Sequence, residues 1–184
     1  SACANLGVGP VMVDNVVGVI KAYITRVGEG PMPTELKDEM GLQMREKGGE
    51  YGTTTGRARR CGWFDAVLGL KSVYLNGYTE LALTKLDVLT GIDPIKICIG
   101  YELDGEQLGY PPEATADLSR CQPIYEDMPG WTEDITAAKE YEDLPENARA
   151  YVERLEDLLG VEVSAVSIGP GREQTIYRDE IDEE

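Results

Sequence analysis

One stretch of this chain constrains its fold more than any other: a strongly amphipathic helix that runs into a strand. From Glu146 to Leu159, the residues Ala148, Tyr151, Val152, Leu155, Leu158 and Leu159 recur at helical spacing on one face, and Gly160 follows as a stop signal. Val161 to Ile168 is then an apolar run of strand length. The same alternation occurs earlier in the chain. A helix is expected from Phe64 to about Leu75, ending near Asn76-Gly77, and strands at Glu80 to Thr84 and Ile95 to Tyr101, with Leu86 to Leu89 between them. Strands alternating with helices predict an α/β fold, a sheet with helices on its faces. Ligands on such sheets sit at loops beyond the strand ends.

The remaining segments follow from their punctuation. Val13, Val16, Val17, Ile20, Tyr23 and Ile24 lie at near-helical spacing between Pro10 and Gly28, which predicts a helix over Val11 to Arg26. Gly28 to Thr34 and Gly48 to Cys61 are rich in glycine and turn residues and are expected to be loops, as is Gln107 to Gly130 with its prolines. Gln174 to Tyr177 is expected to be a last short strand before an acidic tail. A chain of 184 residues, 42% of them hydrophobic, can bury one sizeable core. The opening SACANLGVGP enters a loop with no preceding strand, so the expectation is most of one domain, begun in mid-fold.

Several function classes are excluded. The sequence contains no histidine, which removes Ser-His-Asp and Cys-His catalysis within the chain, and its four cysteines form no CxxC pair, so reduced structural thiols and no metal site are expected. The net charge of −17 is unevenly placed: residues 1–92 hold ten acidic and ten basic side chains, whereas 93–184 hold 24 acidic and seven basic. Such a surface repels nucleic acid and anionic membrane. An anionic small ligand would bind where the arginines concentrate, in the first half. The apolar runs fall far short of the roughly 20 residues that span a bilayer, so a soluble, cytoplasmic protein is expected.

Three stretches carry chemistry. Thr84-Lys85-Leu86-Asp87 follows a strand, where one ionised carboxylate on Asp87 could accept both N1–H and the N2 amino group of guanine, with the stem of Lys85 laid along the base. A polar turn after a strand uses the same residue types for no ligand at all. Ser167-Ile168-Gly169-Pro170 follows a second strand, and its glycine would let backbone N–H groups approach the base oxygen. Such a pair is similar to the guanine loops of GTP-binding proteins, with Thr84 where many of those have asparagine. The third stretch, Thr53-Thr54-Thr55-Gly56-Arg57-Ala58-Arg59-Arg60, sets three hydroxyls and three guanidinium groups around a glycine, a mobile anion pocket suited to carboxylate or phosphate. A solvated basic turn is the competing account.

KAYITRVGEGPMPTEL (Lys21 to Leu36), GTTTGRARRCGWFD (Gly52 to Asp65), LTKLDVL (Leu83 to Leu89), PIYEDMPGW (Pro123 to Trp131) and SIGPGR (Ser167 to Arg172) resemble the signatures of adenylosuccinate synthetases, in the order of that family, over Val11 to Arg178. The resemblance implies the carboxy-terminal portion of the P-loop-NTPase-like synthetase fold, residues 1–184 being part of a single domain. It implies GTP-dependent ligation of L-aspartate to IMP, in which GTP phosphorylates the 6-oxygen of IMP and the aspartate amine displaces that phosphate.

Residue by residue, the resemblance assigns the aspartate loop to Thr53, Thr54, Thr55, Gly56, Arg57, Ala58 and Arg59. Arg57 also touches the nucleotide substrate, Arg59 reaches GTP, and both stabilise transferring charge. Val27 matches a backbone contact to the IMP ribose; Lys85, Leu86 and Asp87 with Ser167, Ile168 and Gly169 match the guanine site. The departures are small: Thr53 where alanine or valine is common, Ala58 where proline or arginine is common, Met32 for phenylalanine. The family's phosphate loop, its catalytic aspartate and histidine and its Mg2+ ligands belong to the amino-terminal part, and this sequence has no GxxxxGK. The chain alone is therefore expected to be inactive and the whole enzyme a homodimer. A non-catalytic guanine-nucleotide-binding or assembly module is the alternative.

Overall fold

The structure is a computed structural model and describes residues 2–178. In chain order it contains α1 (Ala2–Leu6), β1 (Val17–Lys21), β2 (Ile24–Arg26), α2 (Glu39–Gly48), β3 (Arg60–Gly62), β4 (Phe64–Asp65), α3 (Ala66–Asn76) and β5 (Glu80–Thr84). There follow β6 (Ile95–Leu103), β7 (Glu106–Leu108), α4 (Thr115–Leu118), β8 (Gln122–Met128), α5 (Glu146–Leu159), β9 (Val163–Ser167) and β10 (Thr175–Tyr177).

The sheet that matters for function has the order β1-β5-β9-β10. β1, β5 and β9 run parallel, and β10 closes one edge antiparallel to β9. A second sheet is built on β6, flanked by β4, β7 and β8, and β2 pairs with β3 in a separate ribbon. The mixed α/β architecture expected from the alternation is present. α5 begins and ends where its apolar stripe does, and it buries Ala148, Tyr151, Val152, Leu155 and Leu159 in a core shared with Leu81 and Leu83 of β5 and Val163 and Val166 of β9. Removing each of the valine and leucine side chains from water is worth about 1.5–3 kcal/mol, which makes this helix the clearest signal in the sequence.

The helix expected over Val11 to Arg26 does not form. That segment is a 3-10 turn at Pro10–Met12 followed by β1 and β2. β-branched valine, isoleucine and threonine dominate it, and these favour an extended backbone. The pairing of β1 with β5, residue by residue from Val17–Glu80 to Lys21–Thr84, then outweighs the near-helical spacing. Gly18 faces the interior, where an added Cβ would lie 2.8 Å from the Tyr78 ring.

Gln107 to Gly130 is likewise not all loop, since it holds α4 and β8. β8 pairs with β6 from Ile95–Met128 to Glu102–Gln122. It pairs with β6 alone and so lies at an edge, where a proline such as Pro123 is tolerated. Its residues are mostly half-buried without alternation, so the period-two signal is missing.

α2 has no counterpart among the sequence expectations, because it is polar and buries Gly41, Met44 and Gly48 rather than an aliphatic stripe. Its ends are well specified. Asp38 accepts the Gly41 N–H at 3.2 Å, and Gly49 takes a left-handed conformation (φ 58°) that ends the helix. That stop delivers Glu50 to the site.

Candidate substrate-binding site at the carboxyl ends of the parallel strands

Because β1, β5 and β9 are parallel and adjacent, the residues that leave their carboxyl ends are neighbours. Lys21 is paired with Thr84, and Leu83 with Val166. The Lys85–Asp87 and Ser167–Gly169 loops therefore emerge side by side. The Thr84 hydroxyl donates to the Ile20 carbonyl at 2.8 Å, so this threonine ties β5 to β1.

Lys85 adopts a left-handed conformation (φ 63°) that turns the chain sharply into the 3-10 turn Leu86–Leu89. Its ammonium donates to the Gly48 carbonyl at 2.6 Å. Leu86 is fully buried and anchors the turn, whereas Asp87 is half-buried. Burial pushes the Asp87 carboxyl above its ordinary value, against the opposing pull of the Lys85 and Lys47 charges.

In the facing loop, Ser167 donates from its hydroxyl to the Gly169 carbonyl at 3.0 Å. Ile168 is buried and its N–H is bonded to the Gln174 carbonyl at 2.9 Å, so its amide is already engaged. Gln174 shapes this turn: its side chain accepts the Gly171 N–H at 2.9 Å, and a Cβ on Gly169 would lie 2.4 Å from its Oε1.

The threonine-arginine stretch is a closed hairpin. Tyr51 bridges Ala58, the Gly52 N–H donates to the Arg57 carbonyl at 2.9 Å, and the Arg59 N–H donates to the Glu50 carbonyl at 2.9 Å. Thr53, Thr54, Thr55, Gly56, Arg57 and Ala58 are all exposed. Val27, 63% exposed, lies in the loop after β2.

The three arginines expected to form one pocket have three different surroundings. Arg57 stands exposed on the hairpin. Arg59 turns inward and donates to Glu50 Oε2 at 2.7 Å. Arg60 forks onto Glu35 with two bonds of 2.7 Å and also donates to the carbonyls of Gly28 and Gly30, clamping the loop that carries Val27.

Glu50, which no motif of the sequence singles out, is fully buried. Besides Arg59 it accepts from Lys21 Nζ at 2.8 and 3.0 Å and from the Tyr23 hydroxyl at 2.6 Å, and Lys85 Nζ stands 3.7 Å away. Burial alone would raise its carboxyl. The hydrogen bonds from Lys21, Tyr23 and Arg59 outweigh that and hold it at about 2. The signal available in the sequence was a lone acid inside GGEYG, within ten residues of four arginines.

This arrangement, cationic and carboxylate side chains gathered on loops at the carboxyl ends of parallel strands, is that of an α/β protein with its ionisable groups where ligands of such sheets bind. The chain belongs to the adenylosuccinate synthetase family, whose description, "Adenylosuccinate synthetase", matches residues 1–176. It is 74% identical over 179 residues to the adenylosuccinate synthetase of Methanothrix thermoacetophila and 63% identical to that of Methanosarcina barkeri, in each case over 97% of this chain and 42% of the relative. Its structure superimposes on the fully ligated adenylosuccinate synthetase from Plasmodium falciparum with a TM-score of 0.92 at 40% identity, covering 96% of this chain and 43% of the other. The chain thus spans about two fifths of the length of the relatives it matches.

Proposed function

We propose that residues 1–184 form the carboxy-terminal portion of a single adenylosuccinate synthetase domain. In the whole enzyme, a cytoplasmic homodimer on this reading, the chain supplies the guanine-recognition site and the aspartate loop for ligating L-aspartate to IMP at the expense of GTP. The products are adenylosuccinate, GDP and phosphate. The observation that carries the proposal is geometric: two loops of guanine-binding type leave neighbouring parallel strands in register, and the Arg57–Arg59 hairpin is tied to the same end of the sheet through Glu50.

Each residue's part follows from its surroundings. Asp87, ionised, accepts the two parallel donors of guanine, and the Ser167–Gly169 backbone approaches the base oxygen from the adjacent strand end. Arg57, exposed on the hairpin, offers its fork to an aspartate carboxylate, with Thr54 and Thr55 adding hydroxyl donors. Arg59 faces the sheet end with Lys21 and Lys85, where positive charge offsets that of a transferring phosphoryl group. Val27 presents backbone to the IMP ribose from a loop that Arg60 holds in place.

Mg2+, when bound, would neutralise phosphate oxygens. Among the described residues no group of three or more His, Cys, Asp or Glu is placed to hold a metal ion. Its ligands are assigned to the rest of the enzyme. No described helix is long and apolar enough to cross a membrane.

The test is Arg57→Leu in the intact enzyme. The apparent KM for aspartate should rise by about 10- to 100-fold, the loss of a charged hydrogen bond, with the KM for GTP changed less than about threefold. A normal KM for aspartate would mean that the hairpin serves another purpose. Guanine-nucleotide binding without any ligase activity in the unmodified intact protein would favour the non-catalytic module instead.

A further inference from the structure

Glu50 belongs to neither proposed substrate loop, yet both meet at it. It directly precedes the hairpin, on a backbone fixed by the Arg59 N–H, and Arg59 is pinned again where Arg45 Nε donates to its carbonyl at 2.8 Å. The Arg59 main chain is therefore held through both polar groups and its side chain through Glu50. On the other side, Lys85 reaches back to Gly48 and Glu50 from the guanine loop, and Lys21 comes from the end of β1 and also donates to Thr25 Oγ1 at 2.8 Å. Three cations from three separate segments converge on one carboxylate.

Three unneutralised cations at such distances would repel one another and move apart, whereas one buried carboxylate holds them together and leaves net positive charge facing the ligand. A residue serving only the core would not need to be ionised here, because an apolar side chain of similar volume would fill the space at less desolvation cost.

We propose that Glu50 is a positioning residue for the phosphoryl-transfer reaction, orienting the Arg59 guanidinium and, less directly, the Lys85 ammonium, so that the aspartate hairpin and the guanine loop keep a fixed geometry. This rests on the proposed synthetase reading of the site. Glu50 touches no substrate itself and acts through Arg59.

A double-mutant cycle in the intact enzyme tests it. Glu50→Gln keeps the shape but turns an amide donor or a neutral oxygen toward Arg59. It should lower kcat at least about tenfold and raise the KM for GTP, with a smaller change in the KM for aspartate. In an Arg59→Leu background the same change should cost less than about twofold, because the group it positions is gone. Equal losses in both backgrounds would reduce Glu50 to a structural role and overturn the proposal. No loss in the unmodified background would overturn it as well.

If Arg59→Leu alone leaves kcat and both KM values unchanged, the assignment of the site fails, and the positioning role with it. If Arg59→Leu is damaging while Glu50→Gln is not, the site stands and only the positioning role falls. Should Glu50→Gln not fold, Tyr23→Phe removes one donor and keeps the carboxylate. It should cost a few-fold in kcat with Arg59 present and nothing with leucine there, and equal costs would again refute the proposal.

Discussion

The two sides of the site are built differently. The proposed guanine side is part of the sheet: Leu86 and Ile168 are fully buried, Thr84 is bonded across to β1, and Gln174 fills the space beside Gly169. The proposed aspartate side is a hairpin whose tip, Thr53 to Ala58, is exposed and bonded within the hairpin, while its base is held to the rest of the protein through Arg59, by Glu50 and Arg45. A planar base can be recognised by groups fixed before it arrives. A small, flexible dicarboxylate suits donors that close around it, with ordering deferred until binding. Changes on the guanine side should therefore act through lost complementarity and changes at the hairpin tip through local contacts.

The sharpest way to break this contrast is Asp87→Asn. Replacing a double acceptor by a group with one donor should cost GTP on the order of 2–4 kcal/mol and move preference toward xanthosine triphosphate, leaving the KM for aspartate nearly unchanged. Unchanged GTP kinetics would remove Asp87 from the site.

Acid should separate the two sides next. The raised Asp87 carboxyl gains its proton above the ordinary 3.8 as pH falls, so guanine affinity should decline through that range. Asp87's own effect on stability has the opposite sign. A carboxyl whose pKa is raised by folding favours the folded state more once protonated, and it weakens that state as pH rises through the raised value. Glu50, held at about 2, contributes stability that is complete above its ordinary 4.5 and lost as pH falls through 2. Above the ordinary 3.8, where only the raised Asp87 carboxyl of this pair titrates, the aspartate KM, read through the hairpin rather than through Asp87, should follow the GTP curve weakly; parallel losses of the two in that range would contradict the division.

Gly169→Ala is a smaller perturbation. The new methyl must displace the end of Gln174 and with it the bond to the Gly171 N–H, costing about 0.5–1.5 kcal/mol, and it should raise the KM for GTP without touching that for aspartate. Smallest of all, Thr53→Ala at the exposed tip should change stability by less than about 0.5 kcal/mol, as thermal melting would show, and aspartate kinetics by less than about twofold. A large loss there would mean that the tip is organised before aspartate binds.

What the sequence made legible follows the same division. α5 was readable to the residue because burial and periodicity agree along its whole length, and the two strand-end loops because their strands are buried and apolar. β1 was misread because its β-branched residues also satisfy helical spacing, and its pairing partner lies more than sixty residues away. β8 was hidden by half-burial at an edge, and α2 by its polarity. The hairpin was visible as a composition, but composition does not say which way each guanidinium points. For the same reason no pattern marks Glu50: its three cationic partners are brought from β1, the hairpin and the turn after β5.

The divergence of Arg59 and Arg60 constrains chain length as well as residue type. They are consecutive in an extended segment, so their side chains leave on opposite sides, one to Glu50 and the other to Glu35. Inserting one residue between Arg59 and Arg60 would turn the Arg59 side chain to the other face and leave Glu50 without it. Through descent this stretch should tolerate substitutions at its tip while refusing changes of length.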